Sequence, residues 1–172
     1  MRWLIDGYNL IRRDPDLRDR EIESLEAGRR ALLHLLARAY RDPRDEFTVV
    51  FDGARVAGGA PPPGGRIRAI FSRPPLTADD ELMRLARQWK SGAVVVSSDR
   101  KIQDAARRSG SAVLTADQFL EGLTFHEDPA AEGPKDLAAT DAEPVRDKRG
   151  NPRRLSKKAR RARRALGRLR QP

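Results

Sequence analysis

Four short strings place carboxylates where an apolar run gives way to a loop or opens a helix. Trp3-Leu4-Ile5 ends in Asp6-Gly7, with Asn9 three residues past the acid. Thr48-Val49-Val50-Phe51 ends in Asp52-Gly53, and Ala93-Val94-Val95-Val96 ends in Ser97-Ser98-Asp99. Thr77-Ala78 leads into Asp79-Asp80-Glu81. Short apolar runs stopped by such residues read as buried strands handing over to loops. In open α/β sheets, ligands collect outside the carboxyl ends of the strands. Asp6, Asp52, Asp99 and the helix-opening Asp79 would then share one rim. Massed carboxylates repel and are costly unless a cation neutralises them. Oxygen donors suit Mg²⁺ or Mn²⁺, and two such ions about 4 Å apart can clamp a phosphodiester and activate water in line. The residue types therefore point to metal-dependent phosphoryl transfer.

Each acid also has a local explanation. Asp6 can cap a turn, and Asp52-Gly53 can be a turn. Asp79, Asp80 and Glu81 can complement a helix dipole behind an N-cap at Thr77, and Asp99 can be an N-cap for which Ser97 and Ser98 compete. Separate caps need not all fall at one sheet edge, so the joint pattern favours a metal site. Nucleophilic catalysis is poorly served, because the chain has no Cys and His34 lies among leucines.

The elements that would position these acids follow from periodicity. Residues 12–19 are highly charged, contain Pro15 and read as loop. A helix over residues 20–40 would bury Ile22, Leu25, Leu32, Leu33, Leu36 and Tyr40, leave Arg29, Arg30 and Arg38 for solvent, and end at Pro43. Strands are expected at 46–51, 67–71, 93–96 and 112–114. Helices are expected at 77–89, 100–108 and 116–123, with Gly110 ending the second and Thr115 capping the third. The Gly/Pro run at 58–65 is a loop, and no Gly-Lys-Ser/Thr follows to make it a P-loop. Alternating strands and helices predict a three-layer α/β/α domain over residues 1–125 around a mostly parallel sheet. Trp3 and Trp89 sit in apolar runs and read as core, not as base-stacking platforms.

The net charge of +10 is uneven. Residues 144–172 carry 13 Lys/Arg and one acid, against 22 basic and 24 acidic residues in the remainder. Residues 126–145 turn to Pro, Ala, Asp and Glu and read as a linker. In the tail, 146–172, Leu155, Ala159, Ala162, Leu166 and Leu169 form a thin seam on a basic helix. Such asymmetry points to a polyanion partner, with Arg153, Arg154, Lys157, Lys158, Arg160 and Arg161 as phosphate contacts. The lack of Cys excludes disulfides, Cys-ligated zinc and iron–sulfur centres, and thiol catalysis. No stretch approaches a membrane span, and the first residues have no apolar signal region, so the cytoplasm is the expected compartment.

Ile5-Asp6-Gly7-Tyr8-Asn9-Leu10, Val50-Phe51-Asp52-Gly53, Ile70-Phe71-Ser72 followed by Thr77-Ala78-Asp79-Asp80, and Val96-Ser97-Ser98-Asp99-Arg100 occur in order. Together, over residues 1–125, they resemble the YacP-like branch of the NYN ribonucleases in the PIN-like superfamily. The resemblance implies a PIN-like fold and an endoribonuclease dependent on Mg²⁺ or Mn²⁺. It implies that Asp6, Asp79 and Asp99 hold metal directly or through water, with Asp52 a further acid and Asp80 or Glu81 as substitutes. Asn9 would orient the first loop or contact phosphate, Ser97 would fill the small hydroxyl position before the last acid, and Ser98 and Arg100 would lie beside the substrate. Messenger RNA, ribosomal RNA and the ribosome are the partners it implies. The Gly/Pro loop and the basic tail depart from the family core. The competing expectation is a noncatalytic RNA- or ribosome-binding factor, which would gain nothing from massed negative charge facing RNA.

Overall fold

Trp3, Leu4 and Ile5 are wholly buried, and that places β1 (Arg2–Asp6) in the middle of the sheet. The computed structural model describes residues 1–39, 44–53, 65–124 and 157–169, with side chains of the last segment described at 160–165 and 167. The other strands are β2 (Glu46–Phe51), β3 (Ile67–Phe71), β4 (Ala93–Val96) and β5 (Ala112–Leu114). Among the described residues they form one parallel sheet in the order β3-β2-β1-β4-β5. Asp6 lies opposite Val50, and Ile5 opposite Val96. Successive side chains point to opposite faces, so a strand covered on both sides is apolar throughout.

One face receives Trp3, Ile5, Val49, Phe51, Val94 and Val96. It is covered by α1 (Gly7–Ile11), α2 (Pro15–Glu23), α3 (Leu25–Ala39), α6 (Ala116–Thr124) and α7 (Lys157–Leu169). The other face receives Leu4, Val50 and Val95, covered by α4 (Ala78–Trp89) and α5 (Arg100–Ser109). The result is a three-layer α/β/α, PIN-like fold. From β1 the chain moves outward to β2 and β3, then crosses back to β4 and β5. The reversal lies between β1 and β4, and the carboxyl ends there flank the crevice in which such folds bind ligands.

Two expectations near the N-terminus are corrected. Residues 12–19 are not all loop: Asp14 caps α2 by accepting from the Leu17 amide at 2.9 Å, with Pro15 in the first turn, where a missing N–H costs nothing. The helix expected over 20–40 is broken at Ser24, which is extended at φ −169° and whose Oγ accepts from the Ala27 amide. The break resets the helical phase. Ile22 and Leu25 consequently stand 77% and 52% exposed, while Arg29, expected in solvent, is 5% exposed. His34 is exposed. Pro43 and Tyr40, the Gly/Pro run up to Gly64, and the linker lie outside the described residues.

Trp3 is core as expected, stacked on Phe47 and tilted against Phe119. Trp89 is only partly buried, with the Arg2 guanidinium over its ring. Helix α7 contacts β5 and α6. Ala165 is wholly buried there and Ala162 packs beside it, while Arg160, Arg163 and Arg164 are exposed. Ala162 belongs to the expected seam, but Ala165 does not; a small residue there lets the helix approach closely. Among the described residues no helix is long and apolar enough to cross a membrane.

Candidate active site

The site grows from two loops that leave β1 and β4 side by side. Asp6 ends β1 and caps α1, its Oδ1 accepting from the Asn9 amide at 3.2 Å. The chain turns immediately at Gly7, where an added Cβ would strike the Phe51 ring. From the end of β4, buried Ser97 donates through Oγ to Asp6 Oδ2 at 3.0 Å and accepts from the Asp99 amide at 3.1 Å. The Ser98 amide donates to Asn9 Oδ1 at 2.9 Å. The two loops are thus tied across the topological reversal by two hydrogen bonds, both donated by the β4 loop to the β1 loop. Ser98 Oγ accepts from the Ala116 amide, which adds α6 to the network. Asp99 caps α5, accepting from the Lys101 and Ile102 amides.

Burial raises the Asp6 carboxyl above its ordinary pKa; hydrogen bonds from Asn9 and Ser97 lower it, and the charges of Asp79 and Asp99 raise it further. Asp79 is thereby coupled to the Asp6–Asp99 pair, and Lys101 Nζ stands 3.7 Å from its Oδ2. Its neighbours are differently engaged. Asp80 completes a capping box with Thr77, whose amide and hydroxyl hold its carboxyl below the usual range. Glu81 accepts a fork from Arg84 at 2.8 and 2.6 Å, and that pairing lowers its pKa. Asp52 is exposed beyond β2 and accepts from Ser72 Oγ at 2.6 Å. Arg100 is exposed in the first turn of α5.

Among the described residues no three His, Cys, Asp or Glu side chains converge as a ready-made metal cage. The donor chemistry nonetheless fits a hard divalent cation. A half-buried carboxylate lies under repulsion from two more, and Mg²⁺ keeps several waters and needs only one or two carboxylates.

Residues with no chemical signal in the sequence also shape the site. Gln103 is buried, donates Nε2 to the Ser97 carbonyl at 2.8 Å and accepts from Arg107 at 2.9 Å. A Gln on the inward stripe of α5, beside Ile102 and Ala106, was the available clue. Lys101 carried none, and Ser72, though part of one of the family strings, gave no sign of its contact with Asp52, since both roles depend on which helix or strand lies opposite. In the tail, Arg160 is exposed and Arg161 half-buried; Arg153 and Arg154 lie outside the described residues, as do the side chains of Lys157 and Lys158.

Residues 3–165 match the YacP-like NYN domain family, so the match continues past residue 125 into α7. A relative from Bacillus subtilis (strain 168), YacP, is 31% identical over 121 residues, covering 68% of this chain and 71% of that one. The crystal structure of Rae1 (YacP) from Bacillus subtilis aligns with a TM-score of 0.62 at 27% identity, covering 72% of this chain and 74% of the other. A mutant of the same protein aligns with a TM-score of 0.60.

Proposed function

The chain belongs to the YacP-like NYN domain family, and on that footing we propose that it is a divalent-metal-dependent endoribonuclease. The observation that carries the reading is the placement of Asp6 at the β1–β4 crevice: half-buried, it is fixed from two sides by the Asn9 amide and Ser97 Oγ, and Asp79 and Asp99 are near enough for their charges to act on it. Repulsion of that kind is tolerated where a cation relieves it. Asp6, Asp79 and Asp99 would hold Mg²⁺ or Mn²⁺ with waters, and Asp52 would stand further out. The bound ion supplies Lewis-acid stabilisation of the phosphate and a more acidic water.

The chain's own residues do the positioning. Ser97 and the Asn9 amide fix the two Asp6 oxygens, and the Asn9 side chain holds the Ser98 amide so that the β4 loop cannot drift from the β1 loop. Gln103 anchors that loop from below through the Ser97 carbonyl. Lys101 places a positive charge at the same rim, where an RNA phosphate would meet it. Asp80 and Glu81 serve α4 through its cap and through Arg84. The substrate is RNA, free or on the ribosome, and the Arg-rich face of α7 would contribute sequence-independent phosphate contacts.

A noncatalytic RNA-binding factor is the second reading, favoured by the lack of a preformed three-ligand group among the described residues. Internal cutting of an RNA labelled at both ends, in Mg²⁺ or Mn²⁺ and not in EDTA, is the result expected of the enzyme. Tight binding with no cutting of free or ribosome-bound RNA would favour the factor.

A further inference from the structure

We propose that the groove between α4 and α5 is a second contact for single-stranded RNA, taking the strand away from the acidic rim. The proposal takes its ligand from the nuclease reading above. The groove is open, encloses about 420 Å³, and is lined by Met83, Arg87 and Lys90 on one side and Ala105, Arg108 and Ser109 on the other. Asp79, Met83, Arg87 and Lys90 follow one another at intervals of four, four and three, and Lys101, Ala105 and Arg108 at four and three. Those spacings keep Asp79, Met83 and Arg87 on one face of α4 and Lys101, Ala105 and Arg108 on one face of α5, with Lys90 just past the end of α4. Both helices start at the rim, where Asp79 and Lys101 pair, and both run down the same face of the sheet. Eleven residues from Asp79 to Lys90, at about 1.5 Å each, put the far cations roughly 16 Å from the acids.

The cations of the groove differ from their neighbours. Arg84 is forked to Glu81, and Arg107 is bonded to Asp104 and Gln103. Among the described residues, Arg87, Lys90 and Arg108 make no side-chain hydrogen bond or ion pair. Basic residues in a last helical turn complement the helix dipole, but that does not require three of them to share one groove. Lys90 is held at φ 49°, its amide bonded to the Ala86 carbonyl and its own carbonyl accepting from buried Ser111 Oγ at 2.8 Å. Three cations with no hydrogen-bonded partner, of which Arg87 feels only the more distant charge of Asp80, suit successive phosphates, and Met83 and Ala105 offer an apolar floor for a sugar or base face. The groove lies on the α4–α5 face, whereas Ala162 and Ala165 of α7 pack into the core on the other. The two basic surfaces therefore belong to helices on opposite faces of the sheet.

The test measures binding of a single-stranded RNA by the full chain carrying Asp6→Asn, so that cutting plays no part. Arg87→Gln/Lys90→Gln/Arg108→Gln is compared with a charge-matched control, Arg18→Gln/Arg30→Gln/Arg68→Gln. The groove variant should bind at least about tenfold more weakly near 0.1 M salt, and its log–log salt dependence should be shallower by about 2, at roughly 0.7 per single-strand phosphate contact. The control should change far less. Should the triple variant unfold, Arg87→Gln and Arg108→Gln singly should each flatten the slope by about 0.7. Equal losses in groove and control variants, or unchanged binding by the groove variants, would overturn the proposal. A wild type that binds but never cuts would overturn the nuclease reading while leaving this comparison intact.

Discussion

Asp6 is the residue at which stability and function oppose each other. Its pKa is raised above the ordinary 3.8, chiefly by burial, so the folded protein favours its protonated form. The stability it contributes is complete below the unfolded value and is lost as pH rises through the raised folded value. At neutral pH, without metal, ionised Asp6 is a net cost. Asp6→Asn keeps an oxygen for the Asn9 amide and removes the charge. It should therefore raise the metal-free melting temperature at pH 7 to 8 and flatten its decline with rising pH above about 4. Mn²⁺ should raise the melting temperature of the wild type and not of the variant. Thermal melts across pH with and without Mn²⁺ check both; an equal Mn²⁺ response in the two proteins would remove Asp6 from the ion. The positions of Asp6 and Asp99 were legible because each ends a run that had to be a buried strand. The distinction between Asp79 and Asp80 was not legible: it depends on which acid reaches back to Thr77, a matter of cap geometry that composition does not carry.

At the scale of elements, two devices fix the helices that present the acids. The Thr77–Asp80 box sets where α4 begins, and with it the position of Asp79. Thr77→Ala should cost about 1 kcal/mol, seen as a lower urea midpoint at unchanged slope. Arg29 ties α3 to α1, donating Nε to Tyr8 Oη at 2.8 Å and lying over the rings of Tyr8, Phe51 and Phe71 at 5.5, 5.7 and 5.2 Å. Glu26 is 3.8 Å from its guanidinium. Losing a charged hydrogen bond and desolvated cation–π contacts, against relief from burying a charge, sets Arg29→Met at about 1–3 kcal/mol destabilising. Urea unfolding measures it, and a variant as stable as wild type would mean the desolvation cost prevails. The sequence hid this arrangement because the apolar period runs through Ser24 without interruption. Pro15 misled in the same region: it reads as a breaker, yet it starts α2.

For the molecule as a whole, the alternation of apolar runs and amphipathic helices was enough to foresee a parallel sheet covered on both faces and a rim of acids. The docking of α7 was not foreseeable, since the leucines of the tail drew attention away from Ala165, the buried residue. That contact changes how the tail must be tested. Arg160→Gln/Arg163→Gln/Arg164→Gln should weaken RNA binding and flatten its salt dependence by about 2 with the fold intact, whereas Ala165→Asp should lower the melting temperature by burying an unpaired charge. Binding unaffected by the first variant would take this helix out of RNA contact. The central claim is hydrolysis of RNA at Asp6, Asp79 and Asp99. It is tested most directly by single-turnover cleavage of labelled RNA in Mg²⁺ or Mn²⁺, comparing wild type with Asp6→Asn, Asp79→Asn and Asp80→Asn. Loss of even an indirect metal partner costs 10–100-fold, so Asp6→Asn and Asp79→Asn should fall by at least about 100-fold. Asp80→Asn should stay within a few-fold of wild type, because that carboxylate serves the cap. Cutting that survives Asp6→Asn, or an Asp80→Asn protein as inactive as Asp79→Asn, would contradict the account.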